Sequence, residues 1–444
     1  MSSALIDATP VPVGTDRLGS TPFTRRKRLP TTAALLLLAS IVVSFLAASS
    51  APTPLYAFYQ AEWGFSPITT TVVFGVYAVA VLVALLTIGK LSDHLGRRPV
   101  LLVSIAVQAL SMIVFATADS VTALLIARVV QGLSTGAAVG AVGAGMLDLD
   151  RERGTLANAV APGTGTATGA LVSALVVQYL PSPAHLIYLI LLGVFALQAV
   201  GVLLLPETVT PKAGALASLV PEILIPPAVR GAVSTAAPVL FAVWALAGFY
   251  GSLGPALVRR LSGSSSAVYG GLSLFVLAGV AALSVLLLRR TGAQAVMGLG
   301  ILALIVGVGL TVIAISVSST ALFFLGTGVA GVGFGSGFQG GIRTVLPRTA
   351  PHERSGVLSV LYLVSYLGLG VPAVLGGYLV VNAGGLLDTA REYGLAVIVL
   401  ALLAAVGLAR GRLRRAPGAV DGDSGDSVYS GDSGDAGDAR SSAA

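Results

Sequence analysis

The chain carries 444 residues, of which 55% are hydrophobic and only 10% charged, far below the roughly 25% that a soluble surface draws on. It holds no cysteine, which excludes disulfides, thiol catalysis and thiolate metal centres, and its three histidines (His94, His185 and His352) are too scattered for a metal site. The net charge of +7 falls between apolar runs, which is the arrangement of membrane topology rather than of nucleic-acid binding.

Crossing a bilayer as a helix takes about 20 apolar residues. Twelve spans are predicted: 32–54, 67–90, 99–117, 121–146, 155–180, 186–205, 232–257, 267–288, 294–316, 319–342, 355–382 and 393–410. The closely spaced pairs are divided at turn residues near Pro181 and Ser318. Basic residues then orient the chain. With both termini cytoplasmic, 22 of the 26 Lys and Arg lie inside, Arg259, Arg260 and Arg391 lie outside, and Arg128 falls within a span. Arg25-Arg26-Lys27-Arg28 before an apolar run also suits a signal peptide, but the first span is longer than the apolar core of about 7–15 residues that such a peptide has.

This divides the chain into a basic arm (1–31), a six-span half (32–205), a linker (206–231), a second six-span half (232–410) and a tail (411–444). The tail alternates Gly, Asp and Ser, and so few apolar residues cannot offset ordering entropy, so disorder is expected there. The halves carry an eroded repeat. Residues 148–160 match 349–361, Val129-Val130-Gln131-Gly132 faces Gly328-Val329-Ala330-Gly331, and Ser50-Ala51-Pro52 is echoed by Leu253-Gly254-Pro255.

The most informative stretch is the charged turn Gly89-Lys90-Leu91-Ser92-Asp93-His94-Leu95-Gly96-Arg97-Arg98-Pro99. Gly89 lets another helix approach, and Gly96 suits a turn with positive φ. Asp93 at the membrane edge calls for a positive partner: Arg97 or Arg98, or the N-terminal dipole of the helix beginning near Ser355. Arg97 and Arg98 hold the loop inside, and Asp148 is placed to join Arg97 in an edge network. In the second half Arg289 and Arg290 stand about where Asp93 would recur. Arg128 is the one formal charge well inside a span, a placement that costs about 2.5–3.5 kcal/mol on insertion scales, so a partner or an aqueous cavity is expected. Gln131, three residues on, shares its face. In the fifth span Pro162, Gly163, Gly165 and Gly169 form a small-residue face suited to helix packing or bending. A nucleotide loop would need a strand before it and a soluble helix after it, and here apolar helix continues on both sides.

The spacing G-x-L-S-D-x-x-G-R-R resembles the signature loop of the major facilitator superfamily, and Arg128-Val129-Val130-Gln131-Gly132 resembles that family's fourth-helix motif. Ala161-Pro162-Gly163-Thr164-Gly165-Thr166 resembles in part the antiporter-type motif of drug exporters, with Ala161 in place of its first glycine and no adjacent glycine pair. The resemblance implies an all-α membrane protein, twelve helices in two pseudo-symmetric six-helix halves, with substrate bound between them near the midplane. It implies a conformational latch at Gly89, Asp93, Gly96, Arg97 and Arg98. For Arg128 it implies either coupling or substrate contact, or support of neighbouring backbone carbonyls.

No Asp or Glu lies inside an assigned span, so neutral or anionic cargo is expected over strongly cationic cargo. The remaining cavity candidates are Tyr56, Asn158, Trp244, Tyr250, Phe338, Gln339, Tyr362 and Tyr366. The expectation is a monomeric secondary transporter in a bacterial cytoplasmic membrane, without metal or cofactor, exporting a lipophilic drug-like or metabolite compound in exchange for protons. Uptake or facilitated diffusion of a small metabolite is one alternative, and a non-transporting sensor or scaffold is another. A membrane-embedded enzyme would need clustered His, Cys or carboxylates in the spans.

Overall fold

The computed structural model describes residues 28–413. The arm up to residue 27 and the tail from 414, with the disorder expected of it, lie outside the described residues. The first half contains α1 (Thr31–Ser50), α2 (Pro52–Trp63), α3 (Pro67–Thr87), α4 (Ser92–Leu95), α5 (Arg97–Ala116), α6 (Val121–Leu149), α7 (Arg151–Tyr179) and α8 (Pro183–Leu203). The second contains α9 (Arg230–Ser252), α10 (Gly254–Ser262), α11 (Ala267–Leu287), α12 (Ala293–Ser316), α13 (Thr320–Val345), α14 (Arg354–Asn382) and α15 (Gly385–Leu413). With α1 and α2 taken as one rod, 12 of these helices are long and apolar enough to cross a membrane. Among the described residues there is no strand.

Turn chemistry sets several ends. Ser120 and Ser319 cap α6 and α13 by accepting from Ala123 N–H and Leu322 N–H. Gly64 ends α2 in the left-handed region, and Ser182 and Ser318 take positive φ in two tight turns. The edges differ from hydropathy at both ends of the chain. The first span continues past a one-residue break at Ala51 to Trp63, and the last begins at Gly385 rather than 393. Asp388 and Glu392 therefore sit in the first turns of α15, where Asp388 pairs with Arg391 at 2.7 Å. The described carboxylates still lie only near helix ends or in connections.

The halves repeat one packing plan. α5 packs on α6 as α12 packs on α13, α3 on α6 as α11 on α13, and α1 on α7 as α9 on α14. The small residues repeat too: Gly132 and Gly136 lie against the backbone of Tyr77 and Val81, and Gly331 and Gly335 against that of Leu277 and Ala281. Without side chains there, the helix backbones approach closely, which is what drives association where lipid and side chain are equally apolar. The two halves meet through α3 against α14 and α7 against α11. One end of the bundle carries the 206–231 linker, here termed the linker end. At the opposite, far end the halves touch directly: Thr53 Oγ1 donates to Gly251 O at 3.2 Å, and Ala267 N–H donates to Gln178 Oε1 at 3.0 Å.

Candidate functional site

At mid-depth an aromatic cluster forms where α9, α13 and α14 converge. Trp244 stands 4.9 Å from Tyr366, 5.7 Å from Phe338 and 6.3 Å from Phe334, ring centre to ring centre. Trp244 and Tyr366 also pack against Phe74 and Ala78 of α3 and Leu369 and Ala373 of α14, so the cluster lies at the junction of the two halves. The edge-on and tilted geometries present both faces and edges of rings, the arrangement aromatic pairs prefer. The Trp244 Nε1 donor has no partner among the described residues, nor has Gln339 Oε1. The sequence pointed to Trp244, Phe338 and Tyr366, which the structure brings together, and Tyr362 lies one turn before Tyr366 on α14. Phe334 and Tyr77 were missed; nothing distinguishes such rings from packing residues inside an apolar run.

Arg128 lies eight residues into α6, completely buried. Its Nη1 donates to Ser49 O at 2.8 Å and to Gln131 Oε1 at 2.7 Å, while Nε and Nη2 donate to the Tyr56 hydroxyl at 3.2 and 2.5 Å. Gln131 Nε2 in turn donates to Ala48 O at 3.0 Å. The guanidinium carbon is 5.2 Å from the Tyr77 ring centre and 5.7 Å from those of Tyr56 and Phe115. Hydrogen bonds from a charged donor contribute about 1.5–3 kcal/mol each, so these four outweigh the roughly 2.5–3.5 kcal/mol insertion cost. Every one of these polar partners belongs to the first half, and two are backbone carbonyls of α1 just before its break.

At the linker end the charged turn folds into a compact network. Gly96, at φ 98°, places the amides of Arg97 and Arg98 toward Glu207, whose two carboxylate oxygens accept them at 2.8 and 3.0 Å. A Cβ on Gly96 would come within 2.8 Å of Glu207 Oε2. A carboxylate on the first amides of a helix is favoured by the helix dipole, by about 0.3–1 kcal/mol. The buried Arg97 side chain reaches Asp93 Oδ1 at 2.5 Å, Ser92 Oγ at 2.7 Å and Asp148 Oδ2 at 3.1 Å. Asp93 thus takes Arg97, of the two kinds of partner expected for it. Arg98 turns away, donating to Val202 O at 3.3 Å and Leu203 O at 2.6 Å. Gly89 lies just beyond the end of α3 and against α6, where a Cβ on Gly140 would stand 2.9 Å from Gly89 O. Glu207 and Ser92 were not identified from sequence; Glu207 lies 110 residues from the amide it caps, and no local signal marks it. The second half has no counterpart of α4, and there Arg343 donates to Leu288 O and Thr291 O at 3.4 and 2.8 Å.

The other sequence candidates are distributed. Tyr56 and Gln131 belong to the Arg128 cluster. Tyr250 is a core residue rather than a cleft residue: it is buried inside the second half, its hydroxyl 2.9 Å from Thr327 Oγ1 and 3.4 Å from Thr311 Oγ1. Asn158 Nδ2 donates to Gly143 O at 2.9 Å, tying α7 to α6, and Gln339 Nε2 donates to Val285 O at 3.2 Å. Pro162 sits inside the unbroken α7; Gly163 faces Ala278 and Ala282 across the halves, while Gly165 and Gly169 face Val43 and Ala47 of α1. A void of about 10 Å³ lined by Leu246, Tyr250, Thr311 and Tyr393 has room for a single water at most.

The family model described as Major Facilitator Superfamily matches residues 36–330. Multidrug resistance protein D of Escherichia coli is 41% identical over 78 residues, 18% of this chain and 19% of that protein. The tetracenomycin C resistance and export protein of Streptomyces glaucescens is 33% identical over 128 residues, 28% of this chain and 24% of its own length. The chain thus matches less than a quarter of the length of either relative. Among solved structures, the nucleoside transporter NupG superposes with TM-score 0.61 at 15% identity, over 85% of this chain and 98% of that one. The human organic anion transporter MFSD10 gives 0.62 at 19% identity, over 86% and 100%. At such identities these likenesses speak for the fold.

Proposed function

Because the chain belongs to the Major Facilitator Superfamily, and is thereby a transporter rather than an enzyme, we propose that it exports a lipophilic, aromatic, neutral or anionic compound in exchange for protons. It works as a monomer in a bacterial cytoplasmic membrane with both termini inside. The observation that carries this reading is the Trp244–Phe334–Phe338–Tyr366 cluster at the junction of the halves. Such a surface takes flat apolar rings. No Asp or Glu among the described residues lies mid-span to pair a cation. Export is favoured over uptake by relatives that are named for resistance and export. The far ends pack directly while the linker bridges the linker end, which supports a state that loads from the cytoplasm. Cells carrying the gene should retain less of a neutral polycyclic probe than cells lacking it, with the difference abolished by a protonophore. Equal retention would remove the export reading.

In this reading Arg128 is a clamp on α1, and the Asp93–Arg97–Asp148 network is a latch whose rearrangement accompanies closure of the cytoplasmic side. Asp93→Asn keeps the shape and weakens the ion pair with Arg97. It should slow turnover severalfold and leave substrate affinity within about twofold, since Asp93 is remote from the aromatic cluster. Collapse of binding in equilibrium measurements on this variant would refute the latch role.

A further inference from the structure

The linker carries an inference of its own. It runs along the linker end of the first half, where Lys212 N–H donates to His94 O at 2.9 Å and His94 Nδ1 lies 3.0 Å from Ala213 O. Its short 3-10 turn, Ala217–Leu219, then packs on α3. Next, Glu222 pairs with Lys90 just beyond the end of α3. Two residues later Leu224 lies over Gly356 at the start of α14, with Leu224 N–H directed at Gly356 O at 3.5 Å. A Cβ on Gly356 would stand 2.9 Å from Leu224 Cβ. One three-residue stretch of chain, 222–224, therefore joins the ends of α3 and α14, a helix pair through which the halves meet.

Elsewhere along that pair the helices touch directly. Gly377 lies against Thr71, and Gly75 lies against Val374 and Gly370. Toward the linker end the nearest neighbours change: Gly356 meets Leu224 of the linker, and Gly89 meets Gly140 of α6. Residues 222–224 thus bridge the end of α3 and the start of α14, with the Leu224 side chain 49% exposed.

We propose that residues 222–224 are a wedge that holds the transporter open on the cytoplasmic side. Closing that side brings the end of α3 to the start of α14, and this expels Leu224 from Gly356 and separates Glu222 from Lys90. The Lys90–Glu222 pair is partly exposed, with side chains 31% and 58% accessible, so its contribution is small, and the wedge biases the equilibrium rather than locking it. The device rests on the export reading above only in requiring alternating access, that is, that the linker end closes when the far end opens.

The chain has no native cysteine, so spin labels can be placed directly at Leu147→Cys, on α6, and Pro347→Cys, just after α13. Distances between them by pulsed electron resonance in liposomes report the opening. With the wedge intact a long distance should dominate. Glu222→Ala combined with Leu224→Ser should raise the ratio of short to long populations about two- to fivefold. The charge exchange Lys90→Glu with Glu222→Lys should return the ratio toward the parent while Leu224 is kept. Two populations whose ratio ignores these changes would overturn the wedge alone. One fixed distance in every variant, with and without a substrate gradient, would overturn alternating access and the wedge together.

Discussion

Arg128→Ala is expected to abolish transport and to destabilise the folded protein by about 3 kcal/mol or more, read as a lower unfolding midpoint in detergent without any substrate. The guanidinium satisfies Ser49 O, Gln131 Oε1 and the Tyr56 hydroxyl, and each buried group left unpaired costs about 1–3 kcal/mol. Three rings around the charge add cation–π attraction, about 0.5–2 kcal/mol each. Arg128→Lys keeps the charge but cannot fork between α1 and α6, so it should recover little of either property. An Arg128→Ala protein of unchanged stability that fails only in transport would instead make this residue a coupling or substrate contact.

Trp244→Leu should raise KM for an aromatic substrate about 10- to 100-fold, a loss of about 1.4–2.8 kcal/mol, with kcat and the unfolding midpoint much less affected. The ring faces three others and keeps some exposure, so its loss costs the fold less than emptying a sealed core position. Trp244→Phe separates the two contributions of this side chain. It keeps a ring for stacking and removes the Nε1 donor, which has no protein partner. A substrate carrying a hydrogen-bond acceptor should lose more on Trp244→Phe than its analogue lacking one. If both variants lower stability and leave KM alone, Trp244 is packing and the site lies elsewhere.

Spans were legible because hydropathy is a sum over about 20 residues, which a few polar positions do not erase. Their edges were less so, and the reasons are local. The first span runs on to Trp63 because Pro52 and Pro54 fall in the first turn of α2, where proline is tolerated. The last span starts early because Asp388 and Arg391 pair three residues apart and extend the helix beyond its apolar part. Lone charges were legible for the same reason that they are costly, so Arg128 stood out. Of its partners only Gln131, three residues on, was legible beside it, since Tyr56 is 72 residues away and Ser49 contributes only its backbone. Aromatic rings in an apolar run carry no such mark. Trp244, Phe338 and Tyr366 were named as candidates beside Tyr250, which threonines in the core of the second half claim. Phe334 and Tyr77 emerge only when the packing of α13 and α3 is known.

Purified protein in liposomes offers the most direct test that this chain couples the movement of an apolar compound to protons. Flux of a neutral aromatic probe should rise when a pH gradient is imposed, reverse direction when the gradient is reversed, and be lost in Arg128→Ala. Flux that follows the probe's own gradient and ignores the pH gradient would contradict the coupling and leave a facilitator.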